Sequence, residues 1–179
     1  TIVTAYESLK KQHGNNDFFI APKLEALETA VSQLILLGEK YNCVVANPPY
    51  MGGGKMNSDM SDWVKVCYPD SKADLFSCFI ERSLKFVPSN GFNGLVTMES
   101  WMFLSSFEKF RKKLLRNSKI HSLSHFGWHI MRIAFGTVAF ILENSKPDND
   151  FTGVYSFMEY DDIDKDIDRP FQFPVKSNK

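Results

Sequence analysis

The chain has 179 residues, 44% of them apolar and 16 of them phenylalanine, enough for one aromatic-rich core. A formal net charge of +0 excludes a global basic field for holding nucleic acid, so affinity for such a partner would come largely from residues outside this chain. No apolar run approaches a membrane span, no signal peptide is visible, and 3 cysteines without metal-like spacing argue against a disulfide framework, so a cytoplasmic protein is expected.

Residues 1–20 are polar and mixed and show no assignable pattern; a first residue of Thr1 rather than Met suggests a chain that begins partway through a longer protein. From Pro22 to Leu37 the residues Leu24, Leu27, Val31, Leu34, Ile35 and Leu37 recur at helical spacing, with Pro22 suited to a first turn and Gly38 to a stop. Tyr41–Ala46 contains the apolar run Cys43-Val44-Val45-Ala46, which predicts a buried strand. Residues 51–70 hold three glycines and few apolar residues, and a mobile loop is expected there. Ser71 and Asp74 have the spacing of a capping box, opening a helix with Leu75, Cys78, Phe79, Arg82 and Phe86 along one side. Cys43 in the strand and Cys78 on this helix read as packed thiols.

Gly91 to Gly94 brackets a turn before a second buried strand, Leu95–Met98. Ser105 and Glu108 suggest another capping box, for a helix ending near Arg116. Ile120–Phe126 and Phe135–Leu142 read as strands, joined by a linker, Gly127–Ala134, that carries Trp128, His129 and Arg132. Phe151–Phe157 suits a further strand, and the Asp-rich stretch 159–168 suits a solvated loop or boundary. The alternation of strands and helices predicts an α/β fold, and pairing of the last two strands as an antiparallel hairpin would make the sheet mixed.

The residues with a chemical reading are Asn47-Pro48-Pro49-Tyr50, at the end of the first strand. An amino group on an aromatic ring is a poor nucleophile because its lone pair is delocalised. Two acceptors fixed on its two hydrogens free that lone pair: the Asn47 side-chain oxygen and the Pro48 carbonyl. Pro48 and Pro49 restrict the backbone and remove competing N–H donors. Tyr50 offers a flat face for a base flipped out of a duplex. Without this context the same four residues would be an ordinary strand-ending turn.

Three blocks carry a family resemblance: Asn47 to Gly52, Tyr68 to Arg82, and Glu99 to Arg111. Together they resemble the adenine-specific methyltransferases of BREX phage-exclusion systems and the related type IIG restriction–modification enzymes, over about Leu24 to Leu142. The resemblance implies the C-terminal part of a class I S-adenosylmethionine-dependent methyltransferase (Rossmann-like) fold, a mixed sheet with a closing antiparallel hairpin. Residues 1–150 would be a partial catalytic domain and 151–179 the start of a following region or linker. It places motif IV at Asn47–Tyr50, motif V in Asp74–Glu81, motif VI around Gly94–Met98 and motif VIII in the hairpin ending at Ile141.

By this resemblance Asn47, Pro48, Pro49 and Tyr50 are catalytic, and the adenine of S-adenosylmethionine falls to Leu75, Phe76 or Phe79. Leu75 and Phe79 are equally readable as core. Phe126 or Trp128 would pack the flipped base opposite Tyr50. The substrate would be double-stranded DNA, with other phage-exclusion or restriction subunits as further partners and no membrane. The pattern departs from the family where the glycine-rich motif I, the ribose-binding acid and a target-recognition domain are expected. Gly52-Gly53-Gly54-Lys55 replaces none of them, lacking a Ser/Thr after the lysine. The 179 residues alone are therefore expected to be inactive.

Two acceptor classes compete with DNA: RNA, and a protein glutamine, whose amide poses the same delocalisation problem. A non-catalytic module that binds only DNA or a partner is the third alternative. Lys109, Lys112, Lys113 and Arg116 share one helical side, readable as a phosphate contact or, more simply, a solvated face. His121, His125 and His129 recur every four residues, but their segment alternates as a strand does, so no metal is expected. Trp101 suits either a pocket wall or core packing.

Overall fold

A computed structural model describes residues 2–13, 20–128, 130, 133–164 and 169–170. His129 and Arg132 lie outside the described residues. The chain divides into two compact units, Thr1–Lys40 and Tyr41–Lys179. In the first, α1 (Ile2–His13) occupies the stretch that carried no sequence pattern, and α2 (Ala21–Gly38) has a proline in its first turn. Tyr6, Leu24 and Val31 are buried there, whereas Leu34, Ile35 and Leu37, apolar at helical spacing, are exposed. Lys10 and Glu28 link the two helices at 3.0 Å.

The second unit is built on β1 (Cys43–Ala46), α3 (Ser58–Cys67), α4 (Leu75–Phe86), β2 (Phe92–Met98), α5 (Glu108–Asn117), β3 (Lys119–Phe126), β4 (Thr137–Glu143) and β5 (Val154–Met158). Two short strands, β6 (Ile163–Asp164) and β7 (Arg169–Pro170), pair separately. The main sheet has the order β1-β2-β4-β3-β5. β1 and β2 are parallel, β4 runs antiparallel between β2 and β3, and β5 lies parallel to β3. The expected hairpin is thus present, and the sheet is mixed.

Helices α4 and α5 supply the residues that pack on one face of this sheet. Phe76, Ile80, Phe110 and Leu114 meet Leu95, Val138, Phe140 and Leu142 in the main core. Trp101 is core, 3% exposed, with its indole N–H donating to Thr97 Oγ1 at 3.1 Å. On the opposite face Gly94, Val96, Ser122, Ser124, Ala139 and Ile141 line a groove that reaches Asn47.

Four local expectations are corrected. The strand Cys43–Ala46 is not buried: it is an end strand paired only with β2 among the described residues, Cys43 is exposed, and Val45 is 80% exposed. The segment 51–70 is not a loop throughout, because α3 forms at Ser58 once Asn57 accepts the Met60 N–H at 2.9 Å. Val64 of α3 then packs with Tyr68 and Cys78. The helix after Ser71 starts only at Leu75, with Asp74 as its N-cap rather than its third residue. Turns through 68–73 and pairing of Asp74 with Gly52 hold Asp74 extended, so no helix can begin earlier. Similarly, a short 3-10 turn at Ser105–Phe107 displaces the second capping box, and α5 begins at Glu108 without a side-chain cap.

Candidate active site

Strand direction decides what meets at the site. β1, β2 and β3 all end at the same sheet edge, where β4 begins: Ala46 lies beside Leu95, Met98 beside Thr137, and Phe126 beside Thr137. Asn47–Tyr50, Glu99, Phe126–Trp128 and Phe135–Gly136 therefore gather at one edge, the carboxyl ends of the parallel strands, where α/β sheets hold ligands.

Asn47 is exposed and Pro48 buried, so the turn is anchored by a ring that cannot donate while its amide faces solvent. Tyr50 is half-buried, with its ring edge-on to Phe76 at 6.2 Å and to Phe135 at 5.7 Å. Its hydroxyl donates to Asn47 Oδ1 at 3.2 Å. Burial raises the phenol above its ordinary value.

Asp74 ties this turn to α4. Its Oδ1 accepts the Met51 N–H at 2.9 Å and the Phe76 N–H at 3.2 Å. Leu75 N–H donates to the Met51 carbonyl at 3.0 Å, and Gly53 N–H to the Ala73 carbonyl at 3.0 Å. Gly52 to Lys55 is thus a paired turn rather than a free lid.

The three residues considered for a cofactor adenine part ways. Phe76 is fully enclosed, between Tyr50 and Phe107. Leu75 is half-buried against the cluster of Val64, Tyr68 and Cys78. Phe79 is 43% exposed. The two base-stacking candidates differ as well. Phe126 is half-buried against Ile130, Met158 and Ile163, whereas Trp128 is 62% exposed.

Sequence reasoning missed Phe135, the second ring on Tyr50, and the acid–base pair of Glu99 and His125. Gly136, beside Phe135 at the head of a strand, was the available signal, since glycine there marks a close backbone approach. On the basic side of α5, Lys112 pairs with Glu108 and Lys113 with Glu81; Arg111, off that side, donates to the carbonyls of Trp101 and Leu104. His121 pairs with Glu143 at 2.5 Å. No cluster of three or more potential metal ligands occurs among the described residues. Among the same residues no helix is long and apolar enough to cross a membrane.

Residues 3–130 match the family model described as Eco57I restriction-modification methylase. The chain belongs to this family. Over 109 residues it is 44% identical to the adenine-specific methyltransferase BrxX of Escherichia coli O9:H4 (strain HS), covering 61% of this chain and 9% of that protein. Over 145 residues it is 34% identical to the adenine-specific methyltransferase PglX of Lacticaseibacillus casei (strain Zhang), covering 79% of this chain and 12% of that protein. The chain thus spans about a tenth of the length of these curated relatives. Among solved structures, the type I restriction-modification methyltransferase subunit from Streptococcus thermophilus matches with a TM-score of 0.51 and 16% identity, over 70% of this chain and 27% of that one. The fold described above is the expected one, part of a class I methyltransferase fold with a mixed sheet.

Proposed function

We propose that the protein containing this chain is a DNA adenine-N6 methyltransferase of phage defence or restriction–modification. The observation that carries this reading is Asn47-Pro48-Pro49-Tyr50 at the carboxyl end of β1, with the Asn47 amide exposed and its oxygen oriented by Tyr50. The names of the relatives support adenine as the acceptor.

In this reading Asn47 Oδ1 and the Pro48 carbonyl each accept one hydrogen of the adenine amino group, drawing its lone pair out of the ring. S-adenosylmethionine, when bound, supplies an electrophilic methyl group. Transfer to the amino nitrogen would leave the donor as its thioether and release one amino proton to solvent. Tyr50 stacks the flipped base, and Phe126 or Trp128 closes its other side. Of the candidates for the donor's adenine, Phe79 is exposed and Leu75 half-buried, so these two would hold it. Phe76 instead supports Tyr50 from the core. The partial catalytic domain expected over residues 1–150 would run past that point, because β5 (Val154–Met158) pairs with β3 in the main sheet. The 179 residues alone bind the donor weakly, for want of the glycine-rich motif.

Labelled S-adenosylmethionine offered to the full-length protein with DNA, RNA and protein acceptors side by side tests this. Label on DNA adenine is expected. Label on protein or RNA alone would overturn it.

A further inference from the structure

Glu99 and His125 lie at the same sheet edge as Asn47, but the reaction described above uses neither. Glu99 follows the last residue of β2, and His125 is the next-to-last residue of β3. Their side chains are 14% and 24% exposed, and His125 Nε2–H donates to Glu99 Oε2. The imidazole also packs on Phe157 of β5, with centroids 4.9 Å apart.

Gly136 lies against the same carboxylate, nearest its Oε2. A Cβ at Gly136 would overlap that carboxylate, so only glycine admits it without movement. Glu99 N–H also donates to the Gly136 carbonyl at 3.1 Å. The neighbouring residue, Phe135, sets its ring against Tyr50 at 5.7 Å, and Tyr50 donates to Asn47 Oδ1 at 3.2 Å. An unbroken line of contacts therefore runs from His125 through Glu99, Gly136, Phe135 and Tyr50 to Asn47.

A partly buried carboxylate–imidazole contact is a weak stabiliser, because desolvation offsets most of its attraction. What such a pair does supply is direction. We propose that Glu99, held by His125, is a positioning residue that fixes Gly136 and hence Phe135, so that Tyr50 keeps the Asn47 oxygen aimed at the acceptor amino group. This rests on the methyl-transfer reading above. Glu99 does not act as the base: its Oε2 is held by His125, and it reaches Asn47 only through other residues.

The test uses the full-length protein, measuring methyl transfer to DNA, donor affinity and thermal midpoint. Glu99→Ala and Gly136→Ala are each expected to lower kcat on the order of 10- to 100-fold, as small misplacements of a catalytic group do. Donor affinity and thermal midpoint stay near wild type, a split that removal of an orienting contact produces and general loss of structure does not. Glu99→Gln, which keeps an acceptor for His125, retains most of the activity. Combining Glu99→Ala with Phe135→Ala gives no loss beyond the worse single variant, because both cut one line. If Gly136→Ala fails to fold, Phe135→Leu takes its place. Unchanged kcat in Glu99→Ala, fully additive losses, or a fall in kcat matched by a fall in thermal midpoint would overturn the inference. Transfer that persists in Asn47→Ala would instead overturn the reading beneath it.

Discussion

Asp74 accepts the backbone N–H of Met51 at 2.9 Å, across 23 residues of sequence. The same carboxylate oxygen caps α4 through Phe76 N–H. One side chain thus fixes both the exit of the Asn-Pro-Pro-Tyr turn and the start of the helix that supports Tyr50. Replacing it by alanine removes a cap and a second backbone partner. Asp74→Ala is expected to cost roughly 2 kcal/mol in denaturant unfolding, about one from each contact. Asp74→Asn, which keeps the acceptor oxygen, should lose less than half of that. Equal losses in the two variants would show that charge, not geometry, is what matters at this position.

Tyr50 combines a ring and a hydroxyl with separable jobs. Tyr50→Phe keeps the contacts to Phe76 and Phe135 but frees the Asn47 amide to rotate. Its kcat should fall roughly tenfold, the scale of one lost orienting hydrogen bond, with little change in the KM for DNA. Tyr50→Ala also removes the stacking face, and the KM for DNA should rise as well. Steady-state kinetics on the full-length protein separate the two.

A polar network inside the helical layer carries its own prediction. Ser71, fully buried, donates to Glu81 Oε2 at 2.9 Å, and Lys113 donates to Glu81 Oε1 at 2.6 Å. Glu81→Ala strands the Ser71 hydroxyl away from water and should destabilise by roughly 1–3 kcal/mol. Lys113→Met should cost less, about 1 kcal/mol, because half of that lysine side chain is exposed and the pair is screened. Denaturant midpoints of the two variants provide the check.

The three cysteines should separate by reactivity. Burial pushes the Cys78 thiol up to about 11, whereas Cys43 and Cys67 are exposed. The thiolate is the reactive form, so alkylation near pH 8 should label Cys43 and Cys67 quickly and leave Cys78 protected until unfolding. The sign for stability follows. The folded thiol holds its proton more tightly than the ordinary value of 9.0, so its contribution is complete below that pH and is lost as pH rises towards 11. Peptide mass spectrometry of briefly alkylated protein reads the first effect.

Most of the strand and helix order was legible because apolar periodicity reports burial. Leu95–Met98, Ile120–Phe126 and the hairpin partner at Thr137–Glu143 lie close to where alternation and apolar runs place them. α3 was hidden because only Val64 of its ten residues is buried, which leaves almost no apolar stripe to read. Burial of β1 was misjudged for the opposite reason: its residues are apolar, but it pairs on one side only. At the site, Asn47–Tyr50 could be read because the prolines and the chemistry are local. Gly136 marks a close approach, but the convergence of Phe135, Gly136, Glu99 and His125 depends on the inverted position of β4 between β2 and β3, a long-range pairing that spacing does not encode.

On the proposed function, Asn47 directs methyl transfer to adenine N6. The most direct measurement is nucleoside mass spectrometry of DNA from cells lacking other adenine methylation, expressing the full-length protein or its Asn47→Ala variant at equal level. N6-methyladenine is expected with the wild-type protein and none with the variant. Equal N6-methyladenine from both, or none from a wild-type protein that binds the methyl donor, would contradict it.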